Sequence, residues 1–316
     1  MKLILSLACA LMAGSALFAQ DFRTLAHRTD DKDAPAVYFT SDISAAGLMK
    51  VYNALNQDIG KKVAIKVSFG GTDEQVLDAR LLSDLIKKTD GTMVDCNGLS
   101  GNRWTAALNL ALAKANGFAA VGNVQMLDED ENAHLDMPVK NGHLLKYART
   151  GSRFAEYDTI IAVHRFKLHS LPALGGNIKN ISLCLGNRSG KCIIHSGGTD
   201  EKHYHSTAPD VLAKSFADAA KAALDYKKNW AFINVLDGFK PEDACHGTKA
   251  VRPIGIIASR DVVAADRCSL DLELSQTASD AAARTAWETA HQADVLDYAE
   301  QIGCGKRNYR FVNLDE

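Results

Sequence analysis

The densest run of chemically useful side chains lies mid-chain, in His164-Arg165-Phe166-Lys167-Leu168-His169, followed by Gly175-Gly176-Asn177-Ile178-Lys179-Asn180. Imidazoles, cations and a glycine pair supply what an anion site needs: fixed positive charge, and backbone amides that can approach closely because no Cβ stands in the way. A small carboxylate or phosphate ester suits such a set. Histidine recurs downstream at His195, His203 and His205. The His203-Tyr204-His205 spacing would place two imidazoles on one side of a strand, as metal ligation needs, and His195 follows the apolar pair Ile193-Ile194, so its position is the better fixed. Plainer readings stand beside each of these: a solvated basic turn, loop histidines, and a buried, hydrogen-bonded imidazole.

Several familiar chemistries lack their signatures. The chain has no Gly-x-Ser-x-Gly, no His-Glu-x-x-His and no dinucleotide Gly-x-Gly-x-x-Gly, which weakens serine hydrolase, zinc protease and nicotinamide enzyme. Gly186-Asn187-Arg188-Ser189-Gly190-Lys191 has one residue too few between its glycines for a phosphate loop, and Cys192 stands where Ser or Thr belongs. Beyond Cys9 the cysteines are Cys96, Cys184, Cys192, Cys245, Cys268 and Cys304, with no Cys-x-x-Cys among them, so neither a zinc ribbon nor an iron-sulfur cluster motif is present. Sequence does not choose among their pairings; Cys184 and Cys192 would lose least entropy on closure.

The elements that must position these residues form the pattern of an α/β protein. Apolar runs at 37–40, 63–67, 92–95, 119–122 with 124–127, 159–163, 231–235 and 254–259 read as strands. Helical periodicity covers 44–56, 74–88, 103–116, 210–227, 262–274 and 279–302, while 128–143 is charged and irregular. The expected architecture is a mostly parallel or mixed sheet flanked by helices, in one large domain or two closely packed lobes. Open parallel sheets bind ligands beyond the carboxyl ends of their strands. That rule makes candidates of Ser41, Asp42, Ser68, Gly70, Gly71, Cys96, Asn97, His164, Lys167, His169, Asp237, Arg260 and Asp261.

Residues 1–19 read as a secretory signal: Lys2, an apolar run from Leu3 to Leu17 broken by Ser6, Gly14 and Ser15, and Ala19 before Gln20-Asp21. Cleavage near Ala19 would leave a single domain over 20–316, periplasmic or secreted. No later apolar run reaches spanning length. The 36 basic and 38 acidic residues are interspersed, so nothing points to nucleic acid.

From His164 to Asn180 the chain resembles the bacterial family catalogued as domain of unknown function 362, in which a Phe-Lys-Gly-His element leads to Gly-Gly-x-x-Lys-Asn. The likeness extends over nearly the whole expected mature chain. It takes in Val37-Tyr38-Phe39-Thr40 with Ser41-Asp42-Ile43-Ser44, Lys62-Val63-Ala64-Ile65-Lys66, Gly190-Lys191 leading to His195, Ile233-Asn234-Val235, the Asp261, Asp266, Asp271 spacing, and Tyr298-Ala299-Glu300 before Ile302-Gly303. Departures are Leu168 for the glycine before the histidine, Asp243 where relatives can carry the first cysteine of a Cys-x-Cys, and Val262 for a proline. The family's ferredoxin-like module is missing.

The resemblance implies metal-linked redox or isomerase-like chemistry on a small anion, with a divalent or iron-type metal and a separate redox partner. A more distant likeness of fold to lactate racemase-type proteins is analogy and transfers no reaction. The roles it suggests are catalytic for Lys167, His169, Lys179 and His195, and substrate-binding for Lys66, Gly175, Gly176, Asn180, Asp261 and Asp266. His169, His195, Cys96 and Cys245 would ligate a metal. The competing expectation is a noncatalytic periplasmic protein that binds a small anion or a metal.

Overall fold

The computed structural model describes residues 22–70, 76–168, 174–238, 252–277 and 294–316. The expected signal at 1–19, and with it the cleavage point, lies outside them, as do His169 and Cys245.

The strands are β1 (Ala36–Thr40), β2 (Val63–Lys66), β3 (Thr92–Asp95), β4 (Val124–Met126), β5 (His134–Pro138), β6 (Tyr147–Gly151), β7 (Thr159–Arg165), β8 (Lys167–Leu168), β9 (Leu174–Gly175), β10 (Trp230–Leu236), β11 (Gly255–Ser259) and β12 (Arg310–Asn313). Eight of them form one mixed sheet in the order β12-β1-β11-β10-β7-β2-β3-β4. Strands β10, β7, β2, β3 and β4 run parallel, β12 runs parallel to β1, and β11 is antiparallel to both its neighbours. Strands from both ends of the described chain, β1 and β12, therefore share a sheet with its middle.

Helices α1 (Ala45–Ala54), α2 (Ser83–Thr89), α3 (Ala106–Ala115) and α4 (Phe118–Val121) cover one face. Helices α5 (Asn177–Ile181), α6 (Arg188–His195), α7 (Pro209–Tyr226), α8 (Val262–Thr277) and α9 (Asp294–Gln301) cover the other. Strand alternation feeds both layers: Ile161 and Val163 of β7 join the first core, Ile160 and Ala162 the second. None of the described helices is long and apolar enough to cross a membrane.

Two local expectations need correction. Residues 119–122 lie largely in α4, because a short apolar run does not distinguish a strand from a buried helical turn. The charged stretch 128–143 contains β5, which pairs with β6 as a hairpin.

The chain's route creates one special place on the sheet. From β2 it moves outward through β3 and β4, with α2, α3 and α4 over one face. It then returns to β7 on the other side of β2 and continues to β10 through α5, α6 and α7 over the opposite face. Strand order reverses between β2 and β7, so the segments leaving those two strands part to opposite faces, and their carboxyl ends are where this topology is expected to hold a ligand.

Candidate functional site

Three neighbouring strands carry polar side chains at or near this carboxyl edge. Lys66 closes β2 and pairs with Ala162 of β7, while His164 of β7 sits opposite Asn234 of β10. By strand alternation His164 continues the Ile160, Ala162 row, so it shares the face that α5 covers.

Lys66 is fully buried, and its ammonium spends all three donors inside the protein. Nζ donates to Val67 O at 2.8 Å, Asp95 Oδ1 at 3.0 Å and Asn180 Oδ1 at 3.1 Å, and Asn180 Nδ2 returns a bond to Lys66 O at 3.2 Å. Asp95 also takes the Phe69 amide at 3.0 Å and the Arg103 guanidinium. Burial pushes the Asp95 carboxyl up, but Lys66 and then Arg103 outweigh it and hold the group below its ordinary range. Lys66 is thus a strut within the fold, with its charge directed inward.

Asp266 plays a comparable part from α8. Its carboxylate accepts the Asn177 and Ile178 amides, each at 2.8 Å, and Asn234 Nδ2 at 2.9 Å. Burial still drives its carboxyl up to about 6 against these bonds. Asn177 Nδ2 donates in turn to Ile233 O at 3.1 Å and Asn234 Oδ1 at 2.9 Å. The glycine pair makes room for these neighbours: a Cβ on Gly176 would stand 2.6 Å from the Asp266 carboxylate, and one on Gly175 would stand 2.8 Å from Lys167 Cγ. The close approach expected of these glycines is to the protein's own side chains.

Positive charge gathers around His164. Burial first, then Lys167, Lys179, Lys66 and Arg165 in that order, hold its imidazole well below the usual histidine range, so it is neutral at pH 7. Its Nε2 is buried and has no hydrogen-bond partner among the described residues. Arg165 is tied by its Nε to Asp237 at 2.8 and 2.9 Å, and its NH2 donates to Gly238 O at 2.7 Å. Burial, then Lys179 and Lys191, lower His195 to about 4, and its ring packs 4.7 Å from that of Tyr204. Lys179 therefore lies within electrostatic reach of both imidazoles.

The fold brings together Lys66, Lys167, Gly175, Gly176, Lys179, Asn180 and Asp266, with His195 beyond Lys179. It separates Asp261. Because β11 is reversed, its last residue, Ser259, pairs with Phe232 and Val37 near the starts of β10 and β1. Asp261 is consequently at the opposite edge, where it accepts the Ala264 amide at 2.9 Å and the Lys306 amide at 3.0 Å as a cap of α8.

The donor set expected for a metal does not fit where it is described. The Cys96 thiol donates to Leu185 O at 3.1 Å, and burial above all pushes it up to about 12, far from the thiolate a ligand must become. Cys96, Cys184, Cys192, Cys268 and Cys304 are free thiols. His203 Nδ1 and His205 Nε2 meet Asp200 Oδ2 at 3.0 and 2.9 Å, and among the described residues no group of three or more His, Cys, Asp or Glu is arranged to hold a metal ion.

His164 was legible as a residue at a strand's carboxyl end, yet no signal in its own sequence neighbourhood set it apart from His169. Asp95 and Arg103 escaped notice, and Asn234 was named only within the Ile233-Asn234-Val235 motif, because their partners lie on other elements of the fold.

The family described as Domain of unknown function (DUF362) matches residues 63–271, a span that holds every member of the α5 cluster. None of the curated proteins matches the chain. Among solved structures, the lactate racemase apoprotein from Thermoanaerobacterium thermosaccharolyticum aligns at 13% identity with a TM-score of 0.41, over 70% of this chain and 53% of that one. The alignment thus spans about half the length of that racemase.

Proposed function

This chain belongs to the domain of unknown function 362 family, and we propose that the carboxyl edge of β2 and β7 binds a small carboxylate or phosphate ester for isomerase-like proton transfer. One observation carries the reading: a buried, unpartnered His164 Nε2 whose strongest charged neighbours are all cations. Lys179 and Lys167 supply the charge that holds the anion. The neutral imidazole donates to, or accepts from, an oxygen beside it.

Binding would also change His164 itself. An anion among these cations relieves the repulsion that depresses the imidazole, so its proton affinity rises and the complex takes up a proton. The imidazolium so formed is the acid, and the neutral imidazole it came from the base, of a proton transfer at the carbon next to the bound acid group. The metal-linked version of the reading has less behind it, since Cys96 does not fit and His169 and Cys245 lie outside the described residues.

Titration calorimetry of acetate and inorganic phosphate, in two buffers of different ionisation enthalpy, tests the proposal. The expected results are proton uptake on binding, its loss in His164→Gln, and affinity weakened roughly tenfold or more in Lys179→Ala and Lys167→Ala, as expected when one charge-assisted contact is lost. Equal affinities in all four proteins would refute it. Undiminished affinity in His164→Gln, with no proton uptake in either protein, would favour a noncatalytic anion-binding protein.

A further inference from the structure

Helix α5 has five residues, too few to hold a helix by its own hydrogen bonds, so tertiary contacts must impose its shape. Two buried charged groups do so. Asp266 receives the Asn177 and Ile178 amides, one on each carboxylate oxygen and both at 2.8 Å. At the other end Asn180 exchanges hydrogen bonds with Lys66. Asn177, Ile178, Asn180 and Ile181 are buried; Lys179 alone of the five is not. Two fully buried charges thus clamp a single turn of helix that holds one lysine within electrostatic reach of His164 and His195.

We propose that Asp266 is the positioning residue of the anion site: by gripping the amino end of α5 through both carboxylate oxygens, it sets where Lys179 stands. This rests on the anion-site reading above. The geometry explains why a carboxylate is needed. Two adjacent amides point at two oxygens, and Asn234 Nδ2 steadies the group with a bond at 2.9 Å to Oδ1. An amide in its place could accept one of the two N–H groups but would turn its own NH2 toward the other. Protonation does similar damage, since the new O–H faces a donor. Among the described residues, the groups that face Asp266 carry no charge: the Asn177 and Ile178 amides of α5, Asn234 of β10, and Gly176, whose Cβ position lies 2.6 Å away. Its carboxyl, pushed up to about 6 by burial, therefore titrates within a measurable range.

The experiment is a double-mutant cycle on the whole protein, read as inorganic phosphate affinity by calorimetry, with Asp266→Asn, Lys179→Ala and the pair. Asp266→Asn should weaken binding roughly fivefold or more, and Lys179→Ala roughly tenfold. The double variant should be no weaker than Lys179→Ala alone, because a displaced lysine and an absent one are equivalent. Losses that multiply, or an Asp266→Asn protein with unchanged affinity, would overturn the positioning role and leave the anion site standing. An unchanged Lys179→Ala would instead sink the anion site itself. If Asp266→Asn does not fold, Gly176→Ala takes its place in the cycle, since its Cβ must displace the carboxylate. In His164→Gln, which lacks the imidazole's proton uptake, acetate affinity should also fall as pH drops from about 7.5 to about 5.5, and this fall should vanish when Asp266→Asn is added. The same pH profile in both proteins would count against the proposal.

Discussion

Lys66→Met removes an ammonium whose side chain, like that of its partner Asp95, is fully buried. The unbranched replacement fills nearly the same volume, so the cost is electrostatic. Asp95 keeps the Arg103 guanidinium, which places the loss at the lower end of the range of about 3–5 kcal/mol for breaking a buried pair. Asn180 Oδ1 and Val67 O lose a donor as well, adding roughly 1 kcal/mol. The sum, about 4 kcal/mol, is a large share of the roughly 5–15 kcal/mol that holds a folded domain together. At about 2 cal/mol/K of unfolding entropy per residue, the midpoint should fall by about 6 °C. Urea and thermal unfolding followed by circular dichroism measure both quantities. Asp95→Asn added to Lys66→Met should recover nothing, because it strips the Arg103 guanidinium of its remaining carboxylate partner. A Lys66→Met protein destabilised by less than about 1 kcal/mol would refute the assignment of Lys66 as an inward-facing strut.

Other outcomes follow from the same geometry. The Cys96 thiol, hydrogen-bonded to Leu185 O and pushed up to about 12, should resist iodoacetamide in the folded protein near pH 8 and react only after denaturation. Modification of native Cys96, mapped by mass spectrometry, would contradict its burial. Burial, then Asp237, raise Glu273 from its ordinary 4.5 to about 8, with Arg165 pulling the other way. The folded protein keeps that proton where the unfolded chain has lost it, so Glu273 subtracts stability progressively between about pH 4.5 and 8. Glu273→Gln should therefore gain thermal stability relative to the parent at pH 8 and not at pH 4.5; an equal difference at both would count against the shift. Asp261→Ala should cost about 1–2 kcal/mol through loss of the α8 cap and leave acetate affinity untouched, which calorimetry on the folded variant can check.

How much of this was legible in the sequence depended on the range of the interaction. The strands of the parallel half announce themselves as apolar runs, and β10, buried along its length, and β7, buried from Thr159 to Val163, lack the alternation that a solvated face would give. Direction is another matter. Gly255-Ile256-Ile257-Ala258-Ser259 is fully buried and would read alike whichever way it ran, so nothing local told that Asp261 leaves the sheet at the far edge. Lys66 looks like the polar end of a strand and Asp266 like a solvated helix residue. Their burial is set by Asp95, Asn180 and Asn177, which only the sheet register and the packing of α5 and α8 bring near.

Those buried charges oppose the stability of the fold, since apolar groups of similar volume would fill the same space at less cost in desolvation. Apolar contacts, however, would hold α5 against the sheet without fixing its rotation about its own axis. Directional bonds at both ends, from Asp266 to two successive amides and from Lys66 to Asn180, do fix it. With one turn of helix, a modest rotation would carry Lys179 away from His164. The polar clamp therefore makes sense as a device for orientation, and its natural readout is anion affinity more than unfolding temperature.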